Sequence, residues 1–106
     1  DATAKDAREA GLDHVAKIVS NGSDAPGTLL RDCSPPFRHM FWNARVIIAK
    51  GQANYETLSN TPAPIFFLLK IKCPVIAEDM DLALGSVICK RSEAYVEGPR
   101  SVQRNT

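Results

Sequence analysis

An excess of charge of one sign is almost absent: 13 Lys and Arg side chains stand against 12 Asp and Glu, leaving a net charge of +1 over 106 residues. Nucleic-acid binding draws on a clustered basic face, and this balance offers no electrostatic case for it. No apolar run approaches the ~20 residues that cross a bilayer, and neither a secretory leader nor a membrane partner is expected. Only three cysteines occur, Cys33, Cys73 and Cys89, with no Cys-x-x-Cys pair, and the two histidines, His14 and His39, lie far apart. The odd count and wide spacing argue against a disulfide framework, and the spacing is wrong for a Cys/His zinc site. Reduced, mostly buried thiols in a cytoplasmic protein are the expectation. A Gly-Lys-Ser/Thr phosphate loop is missing as well. No pair of carboxylates has a spacing that fixes general acid–base chemistry.

What is present reads as one small α/β domain. Residues 2–10 are rich in Ala, Lys, Arg and Glu and predict a helix, with Gly11 placed to end it. Val15–Val19 reads as a short strand that stops at the turn formers of residues 20–24. Leu29-Leu30 opens a helical turn. Ser34-Pro35 starts a helix, Ser as cap and Pro in the first turn, with Phe37, Met40 and Phe41 along one face. Val46–Ala49 is continuously apolar, the pattern of a parallel strand buried on both faces. Pro64–Leu69 reads the same way, with a buried helix as the alternative. A helix restarts at Cys73-Pro74, Gly85 ends it, and Ser86–Cys89 is a last strand. The domain is expected over 1–90 and a polar tail over 91–106. Alternation of this kind implies helical crossovers and a mostly parallel sheet in which Val15–Val19, Val46–Ala49 and Ser86–Cys89 all run the same way. Asp1 is not Met and a helix pattern begins at once, so the chain is expected to be a piece of a longer one.

Ligands of open parallel sheets sit beyond the carboxyl ends of the strands. Two loops meet that rule. One is Asn21-Gly22-Ser23-Asp24, which offers Ser23 and Asp24, although Asp24 reads first as a turn former. The other is Lys50-Gly51-Gln52-Ala53-Asn54, which offers a cation at a strand end, a glycine that lets the backbone approach a ligand, and a helix start near Asn54. A phosphate or carboxylate would be stabilised there. A surface lysine in a tight turn fits the same residues, and local pattern does not choose between the two.

The segment Ile48-Ala49-Lys50-Gly51-Gln52-Ala53-Asn54-Tyr55-Glu56-Thr57-Leu58 resembles a signature of the metal-dependent damage-control phosphatases, a family first catalogued as a domain of unknown function. Asp1-Ala2-Thr3 with Asp6-Ala7 looks like the family's Asn-Asp-Ala-Thr segment without its Asn. Residues 21–28 look like its Gly-rich loop. Phe66–Lys70 through Cys73–Ala77 is similar to its C-terminal stretch. The resemblance covers residues 1 to about 90 and is closest to the prokaryotic branch. It implies a three-layer α/β/α core, a divalent metal (manganese, nickel, cobalt or magnesium) and hydrolysis of small phosphate monoesters such as sugar phosphates or damaged phosphometabolites. It further implies that Asp1 is a metal ligand, that Lys50 faces the phosphate and is catalytic, and that Gly51 and Asn54 contact the substrate. The family's upstream Asp-Asn pair has no counterpart here, Ala53 stands where Gly is common, and Arg45 where Asp is common. The expected partner beyond the substrate is the remainder of the chain N-terminal to Asp1, and the fragment alone is expected to be inactive. A phosphate- or nucleotide-binding module without catalysis is the alternative.

Overall fold

The structure, a computed structural model, describes residues 2–72 and 74–96, with Ile76 described by its backbone alone. Asp1, Cys73 and the part of the expected tail from 97 to 106 lie outside the described residues. The order is helix α1 (Ala4–Glu9), a 3₁₀ turn (Leu12–His14), a second 3₁₀ turn (Leu30–Asp32), helix α2 (Pro35–Asn43), strand β1 (Ile47–Lys50), helix α3 (Gln52–Leu58), strand β2 (Ile65–Lys70), helix α4 (Pro74–Met80) and strand β3 (Val87–Arg91).

Local chemistry accounts for most of these boundaries. Thr3 and Asp6 form a reciprocal capping box at α1: Asp6 N–H donates to Thr3 Oγ1 at 3.2 Å and Thr3 N–H to Asp6 Oδ2 at 2.8 Å. Gly11, with φ 82°, turns the chain out of the helix. Ser34 caps α2 by accepting from Phe37 N–H at 3.3 Å, ahead of Pro35 in the first turn. Of the expected α2 stripe, Phe41 is buried and Phe37 packs beside it, while Met40 is exposed.

The sheet has the order β1-β2-β3. β1 and β2 are parallel, Ile47 opposite Ile65 and Lys50 opposite Leu68, joined through α3. β3 is antiparallel to β2, with Leu68 opposite Cys89 and Lys70 opposite Val87. The expectation that Ser86–Cys89 runs parallel is therefore overturned. Strand-helix-strand spacing reads alike for both connections. Here Ile71 N–H donates to the Ser86 carbonyl and Gly85 N–H to the Ile71 carbonyl, so the α4 excursion leaves and re-enters at one end of the sheet. The predicted strand Val15–Val19 is not one: Val15 closes the 3₁₀ turn and residues 16–19 are irregular, with Val15 and Val19 exposed. β-branched side chains favour a pleated, half-buried surface rather than a strand as such, and among the described residues no strand lies alongside.

One core cluster joins the helices to one face of the sheet. Phe41 of α2, Tyr55 and Leu58 of α3 and Ala77 of α4 pack with Ala49, Ile65, Phe67 and Leu69. Tyr55 meets Phe67 edge-on at 5.2 Å between ring centroids. The alternate strand residues face away from this cluster, and Val46 and Ile48 are exposed. Val46–Ala49 is thus buried on one face, not on two, and a third layer is not seen among the described residues.

Candidate functional site

β1 delivers Lys50 to the carboxyl end of a parallel strand, exposed, on the uncovered face of the sheet. Gly51 follows with φ 92° and ψ 160°, a backbone region that is essentially glycine-only. That turn lets Gly51 N–H extend the ladder to the Leu68 carbonyl at 2.9 Å while the chain swings into α3. α3 has only seven residues, so any support for an anion here rests on the lysine more than on a helix dipole.

The second predicted loop meets the first. Asn54 donates through Nδ2 to the Lys50 carbonyl at 2.9 Å and accepts through Oδ1 from the Thr28 hydroxyl at 2.7 Å. Thr28 N–H donates to Thr57 Oγ1 at 3.0 Å. Gly27, with φ 71°, brings the loop against α3: a Cβ there would lie 2.5 Å from the Ala53 carbonyl oxygen and 2.8 Å from Thr57 Oγ1. The loop is also tied internally, since Ser23 N–H donates to Asn21 Oδ1 and Ala25 N–H to Ser23 Oγ. Ser34 N–H donates to the Asn21 carbonyl at 2.8 Å, fastening the loop to the start of α2.

The fold therefore joins residues 21–28 to residues 50–57 through Gly27, Thr28, Asn54 and Thr57. Asn54 is a brace between the two loops, which leaves one of its N–H groups and one lone pair for anything else. Among the described residues no ion pair engages Lys50 or Asp24. Thr28 was not singled out as a site residue from sequence, and neither was Lys70, which ends β2 on the same face as Lys50 and two residues beyond its partner Leu68. The signal for Lys70 was available: it stands at the end of a parallel strand, as Lys50 does.

The expected metal ligand Asp1 lies outside the described residues. Among the described residues no group of three or more His, Cys, Asp or Glu side chains is placed to hold a metal ion. A divalent cation takes six or more oxygen ligands or keeps several waters, and these residues by themselves do not fit a complete centre for one. A separate cleft of about 390 Å³ opens on the covered side of the sheet, lined by Tyr55, Asn60, Asp79, Lys90 and Glu93. Its lysine is engaged: Lys90 Nζ pairs with Glu93 at 3.2 Å and lies 5.8 Å from the Tyr55 ring centroid. Burial pulls the Lys90 pKa down, but the hydrogen bond to Glu93 and the charges of Tyr55 and Glu93 outweigh it, and the net shift is upward. Cys33 is buried and its thiol pushed up, mainly by burial. Among the described residues no helix is long and apolar enough to cross a membrane.

Taken together, these observations define a mixed α/β sheet, parallel at one edge, with a lysine-bearing loop at the end of a parallel strand. The chain belongs to the damage-control phosphatase ARMT1-like domain family, whose model matches residues 1–88. It is similar to a damage-control phosphatase of Pyrococcus horikoshii, 44% identical over 94 residues that cover 88% of this chain and 33% of that protein. A damage-control phosphatase of Archaeoglobus fulgidus is 39% identical over 92 residues, 85% of this chain and 32% of the relative. The crystal structure of a P. horikoshii DUF89 family protein matches with a TM-score of 0.81 at 44% identity, covering 88% of this chain and 33% of that one. The chain thus spans about a third of the length of the relatives it matches.

Proposed function

We propose that this chain is part of a metal-dependent phosphatase that hydrolyses small phosphate monoesters, such as sugar phosphates or damaged phosphometabolites. The observation that carries the reading is Lys50, held by Gly51 and Asn54 at the carboxyl end of a parallel strand, in a chain of a phosphatase family. The Lys50 ammonium binds the phosphoryl group and offsets charge on its non-bridging oxygens as the ester bond breaks. Gly51 lets the backbone lie close to the substrate. Asn54 positions Lys50 through its carbonyl and the loop carrying Ser23 and Asp24 through Thr28. The divalent metal (manganese, nickel, cobalt or magnesium) belongs with Asp1 and with residues beyond this chain, so the phosphate-facing side is the share assigned here. Reduced thiols suit a cytoplasmic setting, and no nucleic-acid or membrane partner is invoked.

The second reading is a phosphate- or nucleotide-binding module without catalysis, which the exposed Lys50 beside the Gly51 turn would serve equally. One experiment separates the two. The P. horikoshii relative, with its matched third replaced by this chain, is assayed for phosphatase activity with and without Lys50→Ala. Loss of positive charge beside a transferring phosphoryl group costs on the order of 3 kcal/mol of barrier, roughly a hundredfold in rate. The exposed lysine makes no ion pair among the described residues, so melting should not change. An unchanged rate at saturating metal and substrate removes Lys50 from the site. Phosphate binding that depends on Lys50, without turnover, would select the binding module.

A further inference from the structure

β3 is the last strand of the sheet, and among the described residues no strand pairs with its outer edge. The phase of its ladder says which backbone groups stand on that edge. The Ser86 carbonyl accepts from Ile71 N–H at 2.7 Å and Ser92 N–H donates to the Ile65 carbonyl at 2.8 Å, so the even positions face β2. Alternation in an antiparallel ladder then turns the N–H and C=O of Val87 and Cys89 outward. Such an edge is a template for a further strand unless it is guarded. β3 lacks the usual guards. Val87–Arg91 contains no proline, and its register against β2 runs without a bulge. Lys90 is drawn to Glu93 and to the Tyr55 ring on the covered side of the sheet. Val87 and Cys89 are both exposed.

The strand is complementary to a second copy of itself. In an antiparallel pairing centred on Cys89, every residue of β3 has one opposite: Cys89 meets Cys89, Val87 meets Arg91 and Ile88 meets Lys90 of the second copy. No cation then faces a cation. Pairings centred on Lys90 or Arg91 would set like charges directly opposite, which is destabilising. Centring on Cys89 also brings outward groups together: opposed residues whose N–H and C=O both point across the gap exchange both hydrogen bonds.

We propose that β3 is a self-association edge, at which two copies of this chain pair antiparallel about a two-fold axis through Cys89 and continue the sheet from one copy into the other. Each copy presents the same patch, as a two-fold contact requires. A strand of five residues a side falls below the ~1,200 Å² of a standard interface, so the association is weak and set by concentration. The proposal stands apart from the phosphatase reading, because its readouts are mass and a cross-link.

Sedimentation of the 106-residue chain should show the apparent mass rising with concentration from one chain towards twofold. With oxidised glutathione, two Cys89 thiols should yield one Cys89–Cys89 disulfide and two reduced glutathiones, located by peptide mass mapping. Opposed residues stand about 5.5 Å apart at Cα, within disulfide reach. Cys89→Lys and Cys89→Glu, at an exposed position, should each leave melting unchanged and weaken self-association roughly tenfold. Mixing the two variants should restore it, because opposite charges then stand across the axis. A single-chain mass at every concentration, self-association unaltered by either substitution, or no gain on mixing overturns the proposal. Self-association of the free chain that is lost when this chain replaces the matched third of the P. horikoshii relative overturns it too, and gives the edge to a strand of the larger enzyme.

Discussion

Gly27 is the residue through which the two loops of the candidate site touch, and Gly27→Ala measures how firmly they are joined. At φ 71° an alanine bears a left-handed backbone penalty of about 1 kcal/mol. Its Cβ would stand 2.5 Å from the Ala53 carbonyl oxygen, which is helix backbone and cannot give way as a flexible side chain would. The loop must lift instead, and lifting it breaks the bonds from Thr28 to Thr57 and to Asn54. Each is worth about 1 kcal/mol. The total is about 3 kcal/mol, a drop of roughly 12–24 °C in Tm for a domain of this size. Gly11→Ala is the matched control: φ is 82°, nothing lies within 4 Å of the added Cβ, and the cost should be the conformational ~1 kcal/mol alone. Urea and thermal unfolding of both variants give the comparison. The double variant Gly27→Ala/Thr28→Ala should cost less than the sum of its parts, because one bond is lost only once. If Gly27→Ala is no worse than Gly11→Ala, the loops are not held together as argued.

Three further outcomes are expected. The isolated chain, with manganese, nickel, cobalt or magnesium added, should turn over phosphate esters weakly or not at all; robust turnover would place a complete metal centre within these 106 residues. The Asp6 carboxyl is held below its ordinary value of 3.8, first by the Thr3 backbone N–H and then by the Thr3 hydroxyl. A depressed carboxylate pKa contributes stability that is present above the unfolded value and lost as pH falls through the lower folded one. Amide exchange at Thr3 should therefore quicken as pH drops below that range relative to the intrinsic rate, and Asp6→Asn should remove the dependence. Ser34→Ala deletes the α2 cap and should cost about 1 kcal/mol in urea unfolding, with Ser34→Asp restoring most of it.

The sequence was most legible where a local rule acts alone. Gly11 and Ser34-Pro35 each set a boundary through one backbone angle or one side chain, and each lies where the sequence reading put it, whereas the Thr3 cap of α1 and the start of α3 directly after Gly51, ahead of the expected start near Asn54, were not read. The apolar run Ile65–Leu69 formed a strand rather than the alternative helix. Direction was not legible: nothing in Val87–Arg91 distinguishes parallel from antiparallel pairing, which depends on the tie between Ile71, Gly85 and Ser86. Val15–Val19 has the composition of a strand but no neighbour to pair with among the described residues. At the candidate site, Lys50 and Gly51 could be read from their place after a β-branched run. The roles of Thr28 and Thr57 could not, because their bonds span 26 to 29 residues of sequence.

The tie at the end of β2 also bears on how this fold tolerates change. Ile71 is bonded to both Gly85 and Ser86, so residues 72–84 form a closed excursion whose two ends are already fixed to each other. Inserting or deleting residues inside it changes the circumference of a loop, not the register of β3 against β2. Length variation among relatives should therefore accumulate in this stretch. The connection through α3, which must carry the chain back to start a parallel strand, should hold its length.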